Sequence, residues 1–288
     1  MKIVTFYSFK GGVGRSTTLA NVAYSLNAKG KKVVIADFDI ESCGLYSIIK
    51  RDVPSGGIFQ NLLRADSNKI LEEILEGSLV KAPKSDICIV PAGIDHDATR
   101  NVNNLMGSDR KRIFNNVEYF VQLLEEQYQY DFLLFDSRAG ISNMAEPAFT
   151  FADGVVIAYR LGIQQQIGVD GLVRWLVNYF IEIDKLDTKL FLLASNIHPD
   201  ITKRADLRAF VEMISETKDY EIAEKMGENS VKDIFPIYDC GVVWQDDLLN
   251  KNGAIVLFNY AKEKLSDKNR QTMEIYNSIA DLLLKHLH

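Results

Sequence analysis

Three glycines crowd into positions 11–14 of the stretch FYSFKGGVGRSTT, which runs from Phe6 to Thr18. Ahead of them, KIVTFYSF (2–9) is apolar and β-branched and predicts a buried strand. Behind them, Ser16 to Lys29 predicts a helix, with Leu19, Val22, Ala23 and Leu26 on one face and Gly30 placed to end it. Few folds accommodate such a junction. Backbone N–H groups without Cβ atoms can turn inward around an anion, and the following helix N-terminus adds partial positive charge. The loop is therefore a candidate phosphate cradle.

The rest of the chain repeats the alternation. KVVIADFD (32–39), DICIVPAG (86–93), YDFLLFDSRAG (130–140), GVVIAY (154–159), KLFLLASN (189–196) and DIFPIY (233–238) predict strands. Helical periods lie near 163–183, 202–217 and 268–287, and a helix with Ile113, Val117, Phe120 and Leu124 on one stripe precedes residue 130. Strands buried on both faces and separated by helices imply an α/β fold: a doubly wound, mostly parallel sheet with helices on both faces. No repeat or Pro/Gly/Ser linker interrupts the 288 residues, so one domain over 1–288 is expected.

Two features of the loop decide between nucleotide sites. Gly12 and Gly14 supply two glycines of a dinucleotide fingerprint, and Asp37 lies near the distance of its ribose-binding acid, but Thr17 stands where the third glycine belongs. A polyphosphate loop accounts for more: Ser16 stands where a P-loop places its Mg²⁺ ligand, and Thr17 is suited to an inner phosphate. The lysine that normally precedes the hydroxyl residue is Arg15 here, and a lysine occurs five residues earlier, at Lys10.

KGGVGRST resembles the deviant phosphate-loop motif K-G-G-x-G-K-[ST]-T of the ParA/MinD ATPases. The resemblance extends from the first strand to about residue 258 and is strongest at 10–17, 33–40 and 130–140. It implies that Lys10 reaches across a nucleotide-sandwich dimer to the partner's phosphates, and that Gly11, Gly12, Val13, Gly14, Arg15, Ser16 and Thr17 hold ATP. Arg15 departs from the motif. It keeps the charge but spreads it over a planar fork, and is expected to contact the terminal phosphates and permit slow hydrolysis.

Acids at the carboxyl ends of parallel strands beside such a loop can hold Mg²⁺ or orient water. VVIADFDIE (33–41) is similar to the family's VVIDFDIG, which would make Asp39 the residue that positions attacking water, with Asp37 near the metal or the loop. In YDFLLFDSRAG, Asp136 matches the carboxylate that faces Mg²⁺ through water and Gly140 the glycine that senses the γ-phosphate; Arg138 replaces the family's proline. The resemblance also places Asn196 at the adenine edge and the Pro236–Asp239 loop around the base.

The remaining chemistry is sparse. Cys43, Cys88 and Cys240 have neither metal nor disulfide spacing, which favours a reducing compartment and the cytoplasm. The four histidines form no metal site, and Trp175 and Tyr179, four apart, are expected to pack in the core. A net charge of −6 speaks against a surface dedicated to nucleic acid, although SDRKR (108–112) and TKRADLR (202–208) could serve non-specific DNA. No basic amphipathic anchor helix is seen, so direct membrane attachment is not expected. The expectation is an ATP-switched homodimer, with ATP and Mg²⁺ as cofactors, that positions or partitions a cargo or regulates a protein partner. A hydrolysis-impaired binding module is the alternative and a dinucleotide oxidoreductase the remote one.

Overall fold

The computed structural model describes residues 1–42, 44–49, 58–93, 95–140, 143–160, 163–195, 258 and 265–287. The expected helix near 202–217, the strand at 233–238, Asn196, His198, Pro236, Cys43 and Cys240 lie outside the described residues.

The elements in chain order are β1 (Lys2–Ser8), α1 (Arg15–Ala28), β2 (Val33–Phe38), α2 (Gly44–Ile49), α3 (Ile58–Arg64), α4 (Asn68–Ser78), β3 (Val80–Lys81), β4 (Cys88–Val90), α5 (His96–Ser108), α6 (Arg110–Glu126), β5 (Phe132–Ser137), α7 (Glu146–Thr150), β6 (Gly154–Tyr159), α8 (Ile163–Glu182), β7 (Lys189–Ala194) and α9 (Asp267–His286). Among the described residues the strands form a seven-stranded sheet in the order β3-β4-β2-β5-β1-β6-β7. Every neighbouring pair is parallel except β3–β4 at the edge.

Period-two alternation distributes the strand residues between two helical layers. Val4, Phe6, Val33, Ile35, Phe132, Leu134, Val156 and Ala158 share one apolar cluster with α1 and α9, including Tyr276, Ile279 and Leu283. Ile3, Val34, Ala36, Phe38, Leu133 and Phe135 face the opposite way, onto α3 to α6. Tyr7, Val155, Ile157 and Tyr159 meet α7 and α8 on that second side. Helices on both faces follow from strands with no polar side. The predicted stripes all face the core: Ile113, Val117, Phe120 and Leu124 on α6 are buried, as are Leu19, Val22, Ala23 and Leu26 on α1. Trp175 and Tyr179 stack with ring centroids 5.7 Å apart.

Local signals set the helix limits. Asp95, Asp109 and Ser266 cap α5, α6 and α9 by accepting from the N–H groups of Ala98, Arg112 and Asn269. α1 stops at Gly30, whose φ of +80° suits a residue without Cβ.

One topological consequence positions the site. The chain leaves β1, passes through α1 to β2 beyond β5, and later returns to lay β6 on the other side of β1. The strand order reverses at β1, and in open parallel sheets the crevice at such a reversal, outside the carboxyl ends, takes ligands. The glycine loop is the segment that emerges there.

A carboxylate cluster closed by Arg15 beside the glycine loop

The loop has the backbone that the sequence demands. Gly12 and Gly14 adopt φ of +73° and +87°, the left-handed region that penalises a Cβ, and a Cβ at Gly11 or Gly12 would meet nothing within 4 Å. Gly14 begins α1 without any side-chain cap, and no acidic residue occupies the first turn. The helix start thus offers its N–H groups to an outside acceptor. Lys10, Gly11 and Gly12 are exposed, whereas Val13, Arg15 and Thr17 are buried.

The loop is tied from three sides. Ser195, just past β7, donates its hydroxyl to the carbonyl of Val13, and Arg160, just past β6, donates to that of Gly12. Tyr7 donates to the carbonyl of Gly140, and the Gly140 N–H returns 3.0 Å to the carbonyl of Ser8. Gly140 is itself left-handed, at φ +83°. The first loop and the turn after β5 are therefore stitched together at the sheet edge.

Arg15 points back toward the sheet. Its Nε donates to Asp136 Oδ1 at 2.6 Å and Nη2 donates to Asp39 Oδ2 at 2.7 Å. Nη1 lies 3.5 Å from Ser8 Oγ and Nη2 3.5 Å from Ser16 Oγ. The residue is 7% exposed, so these pairs are formed away from solvent. Burial opposes the guanidinium charge, but Asp136 and Asp39 outweigh it and hold the group above its ordinary pKa.

Three acids meet here because of register. β2 and β5 align Asp37 with Asp136, and Asp39 follows one residue beyond the end of β2. Asp37 and Asp136 are fully buried. Burial, then Asp136 and Asp39, push the Asp37 carboxyl well above the usual carboxylate range, so a proton rests there at lower cost than a third charge. Burial also raises Asp136, while Arg15 and Ser16 pull it back. Asp37 Oδ1 accepts from the Asp39 N–H at 3.2 Å; Asp37 Oδ2 and Asp136 Oδ2 are buried without a hydrogen-bond partner.

Beyond this cluster, Gln60 and Thr99 fasten the segment after Asp39: Gln60 Nε2 donates to the carbonyls of Gly93 and Ile40, and Thr99 Oγ1 donates to that of Ile40. Arg138 donates to Glu41 at 2.6 Å, bridging the turns after β5 and β2. The sequence carries no signal for Ser195, Arg160, Gln60 or Thr99 as site supports, because each acts through bonds to distant backbone carbonyls. In the basic run 108–112, Arg110 pairs with Glu146, and Arg112 pairs with Asp66 and Asp109.

A polyphosphate fits the loop, which presents open glycines, an uncapped helix start and an exposed lysine. A divalent ion does not fit the arrangement beside it. One oxygen of each of Asp39 and Asp136 accepts from Arg15 and Ser16 Oγ lies 3.5 Å from Arg15 Nη2, so an ion on these donors would meet a guanidinium charge, although Asp136 Oδ2 is unpartnered. Among the described residues, no three His, Cys, Asp or Glu side chains are grouped so as to hold a metal ion. No helix of the described residues is long and apolar enough to cross a membrane.

Comparison with known proteins agrees with this architecture. The septum site-determining protein MinD of Escherichia coli K12 is 25% identical over 277 residues, covering 91% of this chain and 95% of its own. Among solved structures, the MinC:MinD cell division protein complex of Aquifex aeolicus superimposes with a TM-score of 0.61 at 19% identity, covering 99% of this chain and 96% of that one. Cobyrinic acid a,c-diamide synthase of Mycobacterium smegmatis, solved with an ATP analogue and magnesium, gives a TM-score of 0.64 at 17% identity over 100% of this chain and 95% of that one. The AAA domain family matches residues 1–190. The chain belongs to that family, in its ParA/MinD group of P-loop ATPases.

Proposed function

We propose that the protein is a nucleoside-triphosphate switch that binds ATP on residues 10–17 and, so loaded, closes face to face with a second copy of itself. One observation carries the reading: an exposed Lys10 stands at the mouth of a left-handed glycine loop, at the point where the strand order reverses. Loop amides and the α1 N-terminus would take the phosphate oxygens, and Gly140, tied to β1, would lie beside the terminal phosphate. An exposed cation at the rim is free to serve a neighbouring molecule, and Lys10 of each copy would complete the other's site.

Hydrolysis follows if water is aligned with the terminal phosphate. Asp39 is the acceptor proposed for that task, held in place by Arg15 and by the anchoring of Ile40. Turnover would be slow, because Arg15 is committed to two carboxylates. Of the donors proposed for Mg²⁺, Ser16 and water-linked Asp136, Asp136 already gives Oδ1 to Arg15, and Ser16 Oγ lies 3.5 Å from Arg15 Nη2. Loss of the terminal phosphate would remove the contacts shared between copies and release the dimer, resetting a protein partner or cargo.

A second reading has its own support. The same Arg15 pairs favour a module that binds nucleotide and regulates a partner without completing hydrolysis. Light scattering with ATP or ADP, combined with steady-state phosphate release, separates the two. ATP-specific dimers with turnover support the first, ATP-specific dimers without it the second, and the absence of ATP-dependent dimers rejects both. DNA added to the same assay tests non-specific binding; in the run 108–112, Arg110 and Arg112 are already paired with acids.

A further inference from the structure

We propose that the Arg15 guanidinium is the resident cation of this site, so that the chain takes its triphosphate without help from a divalent ion. The inference rests on the loop being a triphosphate site, as proposed above, and concerns which positive charge accompanies the ligand.

The geometry carries it. A divalent ion beside this loop would be held by oxygens from Asp136 and Ser16 and faced by Asp39. One oxygen of each acid and Ser16 Oγ already face one guanidinium, at 2.6 and 2.7 Å for the two acids and 3.5 Å for Ser16, which leaves only Oδ2 of the Asp136 carboxylate unpartnered. A lysine at this position could not do the same. Its ammonium is a single point at the end of a flexible stem, whereas the rigid fork of arginine spans two carboxylates at once. The fork is almost wholly shielded, so each pair is retained at the low dielectric of the sheet edge.

Charge counting agrees. Of the two carboxylate charges that Arg15 pairs with, at Asp39 and Asp136, the guanidinium offsets one. Inserting a divalent ion would require expelling the guanidinium from the only two ion pairs it makes among the described residues. The guanidinium also has donors to spare. Nη1 and Nη2 reach Ser8 and Ser16 only at 3.5 Å, the outer limit of a hydrogen bond, and Ser16 sits in the first turn of α1, where phosphate oxygens are expected. Arg15 can therefore keep both acids and still offer N–H groups toward a phosphate.

The test is equilibrium binding of a fluorescent, non-hydrolysable ATP analogue to the full chain, in excess MgCl₂ and in EDTA. Wild-type affinity is expected to differ by less than about twofold between the two conditions, and Arg15→Lys to bind roughly tenfold more tightly with Mg²⁺ than without. Manganese resonance provides a second readout with Mn²⁺ alone: no tight site in the wild type, and one in Arg15→Lys. A wild-type loss of roughly tenfold or more in EDTA overturns the inference and leaves the triphosphate reading intact. Binding in neither condition overturns both. Metal-independent binding that persists unchanged in folded Arg15→Lys shows that Arg15 is not its cause. If circular dichroism shows that variant unfolded, the wild-type comparison and the wild-type manganese spectrum decide alone.

Discussion

Arg15 and Asp136 stand 121 residues apart in the chain and meet through a 2.6 Å contact between Nε and Oδ1, with the carboxylate fully buried. The first residue of the loop's helix is thereby fastened to the carboxyl end of the central strand β5.

Removing the cation should be costly. Arg15→Met leaves Asp39 and Asp136 facing each other without compensation, and breaking a buried pair on one side typically costs about 3–5 kcal/mol. Urea denaturation should show a loss of that order. A midpoint equal to the wild type's would mean that the pairs contribute no net stability.

Replacing Asp37 by asparagine should have the opposite sign. Its carboxyl is held well above the ordinary 3.8, so the folded state binds that proton more tightly than the unfolded chain does. The associated stability is fully present below about pH 3.8 and is lost as pH rises toward the folded value. An asparagine side chain would keep the acceptor for the Asp39 N–H and put an uncharged group in place of the unpartnered Oδ2. Asp37→Asn should therefore be at least as stable as the wild type at about pH 8, with a flatter urea midpoint from about pH 4 upward. A steeper profile contradicts the assignment.

Lys10→Ala should leave the fold unchanged, since the side chain is exposed, and should abolish ATP-dependent dimers. Light scattering of the variant with ATP is the measurement that checks it. Persisting dimers remove Lys10 from the interface.

Gly168→Ala reaches the loop from the far side. A Cβ there would lie 2.2 Å from Phe9 Cδ1, so the ring must move, and Phe9 adjoins Lys10. Overpacking of this kind costs about 1–3 kcal/mol. The variant should lose stability by that amount and bind the triphosphate analogue more weakly. Unchanged affinity would show that the loop is insulated from α8.

Most of the sheet could be read from local patterns. GVVIAY is β6 residue for residue, and the stripes on α1, α6 and α9 point inward as their spacing requires. Residues 44–85 went unread: α2 and α3 are six and seven residues long and β3 is two, too short for periodicity to register. By contrast, α4 is eleven residues long with Leu71 and Leu75 buried four apart, and carries a helical spacing that could have been found. The glycine loop was legible because positive φ leaves a compositional mark. The direction of Arg15 was not. At the first turn of a helix its side chain can run outward to a ligand or back to the sheet, and carboxylates 24 and 121 residues away decide the matter. Ser195 and Arg160 were hidden for the same reason, since their bonds to the loop span 182 and 148 residues.

The pairing of Asp37 with Asp136 across β2 and β5 also makes alignment and chemistry a single constraint. A slip of either strand by one position would turn its acid to the opposite face of the sheet and put Ala36 or Phe38 in the place of Asp37, or Phe135 or Ser137 in the place of Asp136. Misaligned sheets would thus bury a carboxyl away from Arg15, so the acids gathered at this edge in the finished protein also penalise mis-threaded versions of it.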